Sequence, residues 1–305
     1  NVQKIHAEIP HYTFAEQMKL PSLLKSLSSD LLYTLHFNSP IFSQIPTIVT
    51  VHDLIKTHFT GSDTTTRAPW LYRLKRVGYN WDIAHTLKTA RDIIVPTNTV
   101  KNDILAGFPT TKPERIHPIP EAPDSVFRQT NPKSEIRNPK LPSKYILFVG
   151  NAYPHKNLSV LLEATKQVPE YQLVIVAKPS PFLSRALAPY DRTRITILSD
   201  LADVDLVQVY RQATMLVTPS LMEGYGLVGL EALMVGTPVV ASNIAVYREV
   251  YGDKVTFFDP HSVSDLIDKI RSVKVKSSHL FKFDRTWDDV VGSIAEVIHA
   301  RSSSL

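Results

Sequence analysis

"EGYGLVGLE", residues 223–231, sets two glutamates eight positions apart with three glycines between them. The chain has only ten glycines in 305 residues, and four of them (Gly224, Gly226, Gly229, Gly236) fall within positions 224–236. Two short apolar runs flank the stretch, "TMLVTPS" (214–220) and "TPVVAS" (237–242). Both read as buried strands, with a helix from about Gly226 to Val235 between them. Strands joined in this way are expected to be parallel neighbours, because a parallel pair needs a crossover of that length. The helix would open at the mouth of the sheet with its first N–H groups unsatisfied, which favours an anion there. Glycines at 224 and 226 are expected to let a diphosphate approach those groups. Glu223 precedes the helix and Glu231 lies more than a turn along it, so the two carboxylates reach different parts of one ligand. Carboxylates accept hydrogen bonds from hydroxyls, and a diphosphate between two polyols, as in a nucleotide sugar, matches that order of groups.

The same alternation extends in both directions. "YILFVG" (145–150), "YQLVIVAK" (171–178) and "RITIL" (194–198) read as further strands, with helices at 157–168 and 203–213. Earlier in the chain, "DLLYTLHF" (30–37), "PTIVTVHDL" (46–54), "RDIIVPTN" (91–98) and "RIHPIP" (115–120) read as strands. Helices are expected over 14–27, over 69–89, and from a Thr97 or Asn98 cap to about Ala106. Residues 121–144, proline-bearing and without periodicity, read as a linker. The fold class is therefore α/β, with two doubly wound Rossmann-like domains whose parallel sheets are covered on both faces. The expected boundaries are 1–120 and 145–280, with residues 281–305 as a C-terminal helix crossing back to the first domain. The ligand cleft is expected at the carboxyl ends of the strands.

Composition narrows the chemistry. The absence of cysteine excludes disulfides, thiolate metal sites and a cysteine nucleophile. No apolar run approaches the length of a membrane span, and a cytoplasmic protein, peripheral at the inner face of the membrane, is the expectation. Residues 1–140 carry 17 Lys and Arg against 12 Asp and Glu, so the whole excess of +5 sits there. That half should face an anionic partner. The dispersed cations and the lack of a nucleic-acid-binding signature argue against nucleic acid and leave a phospholipid surface or an anionic lipid-linked acceptor. "RAPWLYRLKR" (67–76) is the candidate surface, with Arg67, Trp70, Arg73, Lys75 and Arg76, and an ordinary core helix is the alternative reading.

"PSLMEGYGLVGLEALMVGTPVVASNIAVYREVYGD" (219–253) resembles the donor-site signature of the retaining glycosyltransferases of family 4, Glu-x7-Glu, which have the GT-B fold. "FVGNAYPHKNLSVLLEA" (148–164) is similar to the opening strand, phosphate loop and helix of that family's C-terminal domain, and "IVTVHDL" (48–54) to a strand end of its N-terminal domain. Residues 11–40 and 281–300 also read as family segments. The resemblance implies that Glu223 contacts the donor sugar and Glu231 the ribose. Gly226 and Leu227 would offer N–H groups to the diphosphate, and Lys156 would neutralise it. Gly150, Asn151, Asp200, Leu201, Gly224 and Tyr225 complete the implied donor set. His52 would face the sugar and the acceptor across the cleft.

The match departs from the family at two points. Asn151 stands where many relatives carry an arginine, and His155, when protonated, could supply the missing cation. Relatives also begin with a βα unit and a glycine-bearing loop that do not precede Asn1, so the first domain is expected to lack its first unit.

Other motifs give way to this reading. "GYGLVG" formally matches G-x-G-x-x-G, but residues 220–223 intervene after the strand and the next strand ends in Ser242-Asn243 rather than an acid. "DVD" (203–205) resembles a metal-binding Asp-x-Asp, yet it opens a helix and is more simply a cap or first-turn acid. The function expected is retaining transfer of a sugar, from GDP-mannose first and a UDP-sugar next, to a hydroxyl of a glycan or lipid-linked acceptor. Neither cofactor nor metal is expected. A partner-dependent or inactive nucleotide-sugar-binding subunit is the alternative, and an NAD-binding oxidoreductase a remote one.

Overall fold

The computed structural model describes residues 4–10, 13–66, 68–128, 141–273 and 281–302. In chain order the elements are α1 (Phe14–Ser26), β1 (Leu32–Thr34), β2 (Thr47–Thr50), α2 (Ile55–His58), α3 (Pro69–Thr89), β3 (Asp92–Val95), α4 (Asn98–Gly107) and β4 (Ile116–Pro118). Then come β5 (Tyr145–Val149), α5 (Leu158–Lys166), β6 (Gln172–Val176), α6 (Pro181–Leu187), β7 (Ile195–Leu198), α7 (Asp203–Gln212), β8 (Met215–Thr218) and α8 (Leu227–Met234). The last are β9 (Val239–Ser242), α9 (Ala245–Tyr251), β10 (Thr256–Phe258), α10 (Val263–Ser272) and α11 (Trp287–Ser302). Two compact units result: Asn1–Leu54 with Arg67–Ile119 and Gly292–Leu305, and Ile55–Thr66 with Pro120–Val291.

The first unit holds a sheet in the order β1-β2-β3-β4, every pair parallel. Its strands are shorter than the apolar runs that announced them, and β1 keeps only three residues. No helix joins β1 to β2, because Pro40 and Pro46 punctuate that connection and deny it helical hydrogen bonds. Helix α3 makes the long crossover to β3, and Tyr79 on it packs edge-on against the buried Phe37 with ring centroids 5.3 Å apart. Thr97 caps α4 by accepting from the Val100 N–H at 3.1 Å.

The second unit holds six parallel strands in the order β10-β9-β8-β5-β6-β7. Strand alternation feeds two cores, one on each face. Tyr145, Leu147, Val174, Leu216 and Ala241 face Tyr210 of α7, Leu230 of α8 and Tyr247 of α9. Ile146, Phe148, Ile175, Val217 and Val240 face Leu161 of α5, Leu183 of α6 and Ile267 of α10. The residues read as a linker do more than connect: Val126 and Phe127 are buried in the first of these cores, and the Phe127 ring meets Tyr210 edge-on. Their burial rests on tertiary partners over 80 positions away, which local composition does not report; residues 129–140 lie outside the described residues.

Helix α8 ends in a Schellman arrangement, with the Thr237 N–H on the Ala232 carbonyl, the Gly236 N–H on that of Leu233, and Gly236 at φ +82°. Helix α9 presses two stacked tyrosines, Tyr247 and Tyr251, against α8. A Cβ on Gly229 would lie 2.4 Å from Cζ of Tyr251. Gly229→Ala should therefore cost about 1–3 kcal/mol by overpacking in denaturant unfolding. Gly292→Ala in α11, where nothing lies within 4 Å of the added methyl, should be neutral or stabilise by up to about 1 kcal/mol.

Candidate active site

The strand order of the second sheet reverses between β5 and β8, which are parallel neighbours although three helices and two strands separate them in sequence. Ligands of open parallel sheets bind at such a point, outside the carboxyl ends of the strands. The loop leaving β5 turns at Gly150 (φ +139°), passes a 3-10 turn over Pro154–Lys156, and enters α5 through Asn157 at φ 51°. The loop leaving β8 runs from 219 to Gly226. The two are tied by the Leu221 N–H, which donates to the His155 carbonyl at 2.7 Å.

Lys156 and Glu223 meet at this place, Nζ to Oε1, at 2.6 Å. Their side chains retain 18% and 11% of their exposure, so the pair is largely desolvated but still reachable. The same Oε1 accepts from Ser220 Oγ at 2.7 Å and from Tyr247 Oη at 3.2 Å. Three donors converge on this one oxygen and hold the carboxylate. Gly226 caps α8 at φ +99°, and no side chain caps that helix.

The reason for Gly226 differs from the expected one. A Cβ there would sit 2.5 Å from Tyr251 Oη and 2.7 Å from Tyr247 Cε1, so the glycine is required by its left-handed backbone and by the two rings, not by the approach of a ligand alone.

Glu231, a turn into α8, accepts from Tyr210 Oη at 2.7 Å. Burial pushes its carboxyl up to about 7; the Tyr210 hydrogen bond opposes the rise, and Asp124 and Asp203 add to it. Asp203 lies in the first turn of α7, whose N-cap is Ala202.

The remaining expected residues divide by place. Asn151 accepts from the Tyr153 N–H at 3.2 Å in the β5 loop. Asp200 (φ 54°) and Leu201 follow β7 at the same end of the sheet, two strands from β5. The Tyr225 ring is buried in the core, so that residue offers only its backbone to a ligand. His52 follows β2 in the first unit, with Nε2 3.1 Å from the Leu35 carbonyl oxygen. Trp70, Arg73, Lys75 and Arg76 lie on α3, and Arg67 lies outside the described residues. Ser220, Tyr210, Tyr247 and Tyr251 belong to the site and went unread; the four-residue spacing of the tyrosines in "VYREVY" was the signal available. Among the described residues, no three His, Asp or Glu side chains converge as metal ligands would.

The raised Glu231 carboxyl carries a pH dependence. Its folded value, about 7, exceeds its ordinary 4.5, so the unfolded chain loses a proton that the folded chain keeps as pH rises across that window. The fold is weakened progressively between those values and fully above them. Glu231→Gln should stabilise the protein on the order of 2 kcal/mol at pH 8 and leave it nearly unchanged at pH 4, as read by denaturant midpoints.

Comparison with known proteins bears on this arrangement. Over 278 residues the chain is 23% identical to the O-antigen chain mannosyltransferase RfbU of Salmonella typhimurium, a match covering 90% of this chain and 73% of that protein. It is 34% identical over 137 residues to the serotype-specific mannosyltransferase WbdA of Escherichia coli, covering 41% of this chain but only 17% of that protein. Among solved structures, WaaG, a glycosyltransferase involved in lipopolysaccharide biosynthesis, superposes with a TM-score of 0.64 at 20% identity, covering 88% of this chain and 76% of that one. Sucrose-phosphate synthase from Thermosynechococcus elongatus gives 0.62 at 20% identity, covering 84% and 67%. At such identities the likeness shows the α/β fold with parallel sheets, that of GT-B glycosyltransferases. The family model described as glycosyl transferases group 1 matches residues 129–285, just over half of the sequence, and the chain belongs to that family.

Proposed function

We propose that the protein is a retaining glycosyltransferase that moves a sugar, mannose by preference, from a nucleoside diphosphate to a hydroxyl of a glycan or lipid-linked acceptor without a metal. The observation that carries this reading is the Lys156–Glu223 pair at 2.6 Å, set beside the uncapped N-terminus of α8. The proposed reaction breaks the bond between the anomeric carbon and the diphosphate oxygen. The acceptor oxygen bonds to the same face of that carbon, and its proton passes to a phosphate oxygen. Lys156 and the N–H groups of Gly226 and Leu227 stabilise the departing charge; such electrostatic contributions are worth about 10²–10³ in rate per key donor. Glu223 Oε2 takes a sugar hydroxyl and Glu231 the ribose. His52, in the first unit, is kept as the residue on the sugar and acceptor side. Mannose is preferred because RfbU and WbdA are both named mannosyltransferases.

Thermal unfolding of the chain and of Glu231→Ala, each with GDP, UDP, ADP or NAD, tests the donor site. A ligand at 100 times its Kd adds about 2.7 kcal/mol. The expected outcome is a rise in Tm with GDP that Glu231→Ala abolishes. A rise with NAD alone would overturn the proposal.

The acceptor reading rests on α3. Trp70, Leu74, Val77 and Trp81 recur at helical spacing along one face and are 70%, 63%, 68% and 55% exposed. Arg73 and Lys75 are exposed beside them. Tryptophan at both ends of an apolar stripe flanked by cations suits a helix lying in the plane of an anionic bilayer surface. No helix among the described residues is long and apolar enough to cross a membrane. The protein should float with phosphatidylcholine vesicles only when phosphatidylglycerol is added, and Trp70→Ser/Trp81→Ser should lose that binding. Flotation indifferent to lipid charge or to the double substitution would sink the idea.

A further inference from the structure

The glycines at 226 and 229 and the tyrosines at 247 and 251 form one fitted contact. Tyr251 Oη donates to the Gly226 carbonyl at 2.5 Å, and its ring fills the space that a Cβ on Gly229 would need. Tyr247 Oη is 2.6 Å from Thr218 Oγ1 and 3.2 Å from Glu223 Oε1. Because a carboxylate only accepts, the chain of bonds runs from Thr218 to Tyr247 to Glu223. The rings stack at 4.8 Å and both residues are buried. Burial holds both phenols well above their ordinary value, so they remain protonated donors at any physiological pH.

We infer that Tyr247 and Tyr251 are positioning residues with separate duties: Tyr247 aims the Glu223 carboxylate at the donor's sugar, and Tyr251 aims the first N–H groups of α8 at its diphosphate. One helix, α9, thereby sets the distance between the two halves of the donor site. Each hydroxyl reaches a different element. Glu223 lies four positions before the first residue of α8, whereas the Gly226 carbonyl belongs to the helix N-cap. Among the described residues, loss of the Tyr247 hydroxyl leaves Oε1 with Lys156 and Ser220 and loosens the orientation of the carboxylate. Loss of the Tyr251 hydroxyl leaves the Gly226 carbonyl with the Gly229 N–H at 3.3 Å and loosens the peptide whose orientation sets the direction of the Leu227 N–H. The inference rests on reading Glu223 and the α8 N-terminus as the donor site.

The test compares Tyr247→Phe and Tyr251→Phe, which keep the rings, with the unsubstituted chain. Calorimetry is run with GDP and GDP-mannose, and with UDP and UDP-glucose in parallel. Tyr247→Phe should keep the affinity for the nucleoside diphosphate and lose about tenfold of what the sugar adds. Tyr251→Phe should lose about tenfold toward the nucleoside diphosphate itself. Unchanged affinities in both folded variants, or equal losses toward every probe, would overturn the inference. Should the unsubstituted chain bind none of the four probes, the proposed function fails, and amide hydrogen exchange then decides the positioning claim alone. Faster exchange at Gly229, whose N–H bonds the Gly226 carbonyl, in Tyr251→Phe but not in Tyr247→Phe supports it, and equal exchange in both refutes it.

Discussion

The pairing of β5 with β8 is the constraint on which the site depends. The ladder aligns Ile146 with Met215 and Leu147 with Leu216, so that both strands end at the same edge of the sheet. From there the chain parts: the loop after β5 leads to α5 on one face, and the loop after β8 leads to α8 on the other. No helix can cover the point where the two paths diverge, and the gap exposes backbone N–H groups and the side chains of both loops. Lys156 and Glu223, 67 positions apart in sequence, meet because this topology brings both loops to one edge of the sheet.

The electrostatics of the two glutamates differ for a physical reason. Glu223 is largely desolvated but has a cation and two hydroxyl donors on one oxygen, which offset the loss of water. Among the described residues Glu231 has a single neutral donor and no cation, and burial raises its carboxyl to about 7. A group that weakens the fold at neutral pH is costly unless it serves a ligand, and the proposed ribose contact gives it that use. The tyrosines of α9 belong to the same economy of space: a side chain at 226 or 229 would displace the rings that steady both the carboxylate and the helix N-terminus.

Much of the fold was legible in the sequence. Helices α3 and α7 run over the residues that periodicity marks out, and Thr97 caps α4 as its residue type suggests. Helices α6 and α10 went unread although Ser180 before Pro181 and Ser262 before Asp265 are N-cap signals; both serines cap as such residues do. Strand ends were overestimated because an apolar run reports burial, and burial continues past the last ladder bond.

The sequence alone determined the α/β alternation and the clustering of glycines and glutamates at 223–231, because periodicity and backbone permissiveness are local properties. Tertiary structure decided which strands became neighbours, and hence that Lys156 reaches Glu223. It also decided that Val126 and Phe127 join a core, and that Gly226 and Gly229 make room for two tyrosines. These outcomes depend on which distant surfaces share the space beside a residue, and no window of neighbouring residues contains that information.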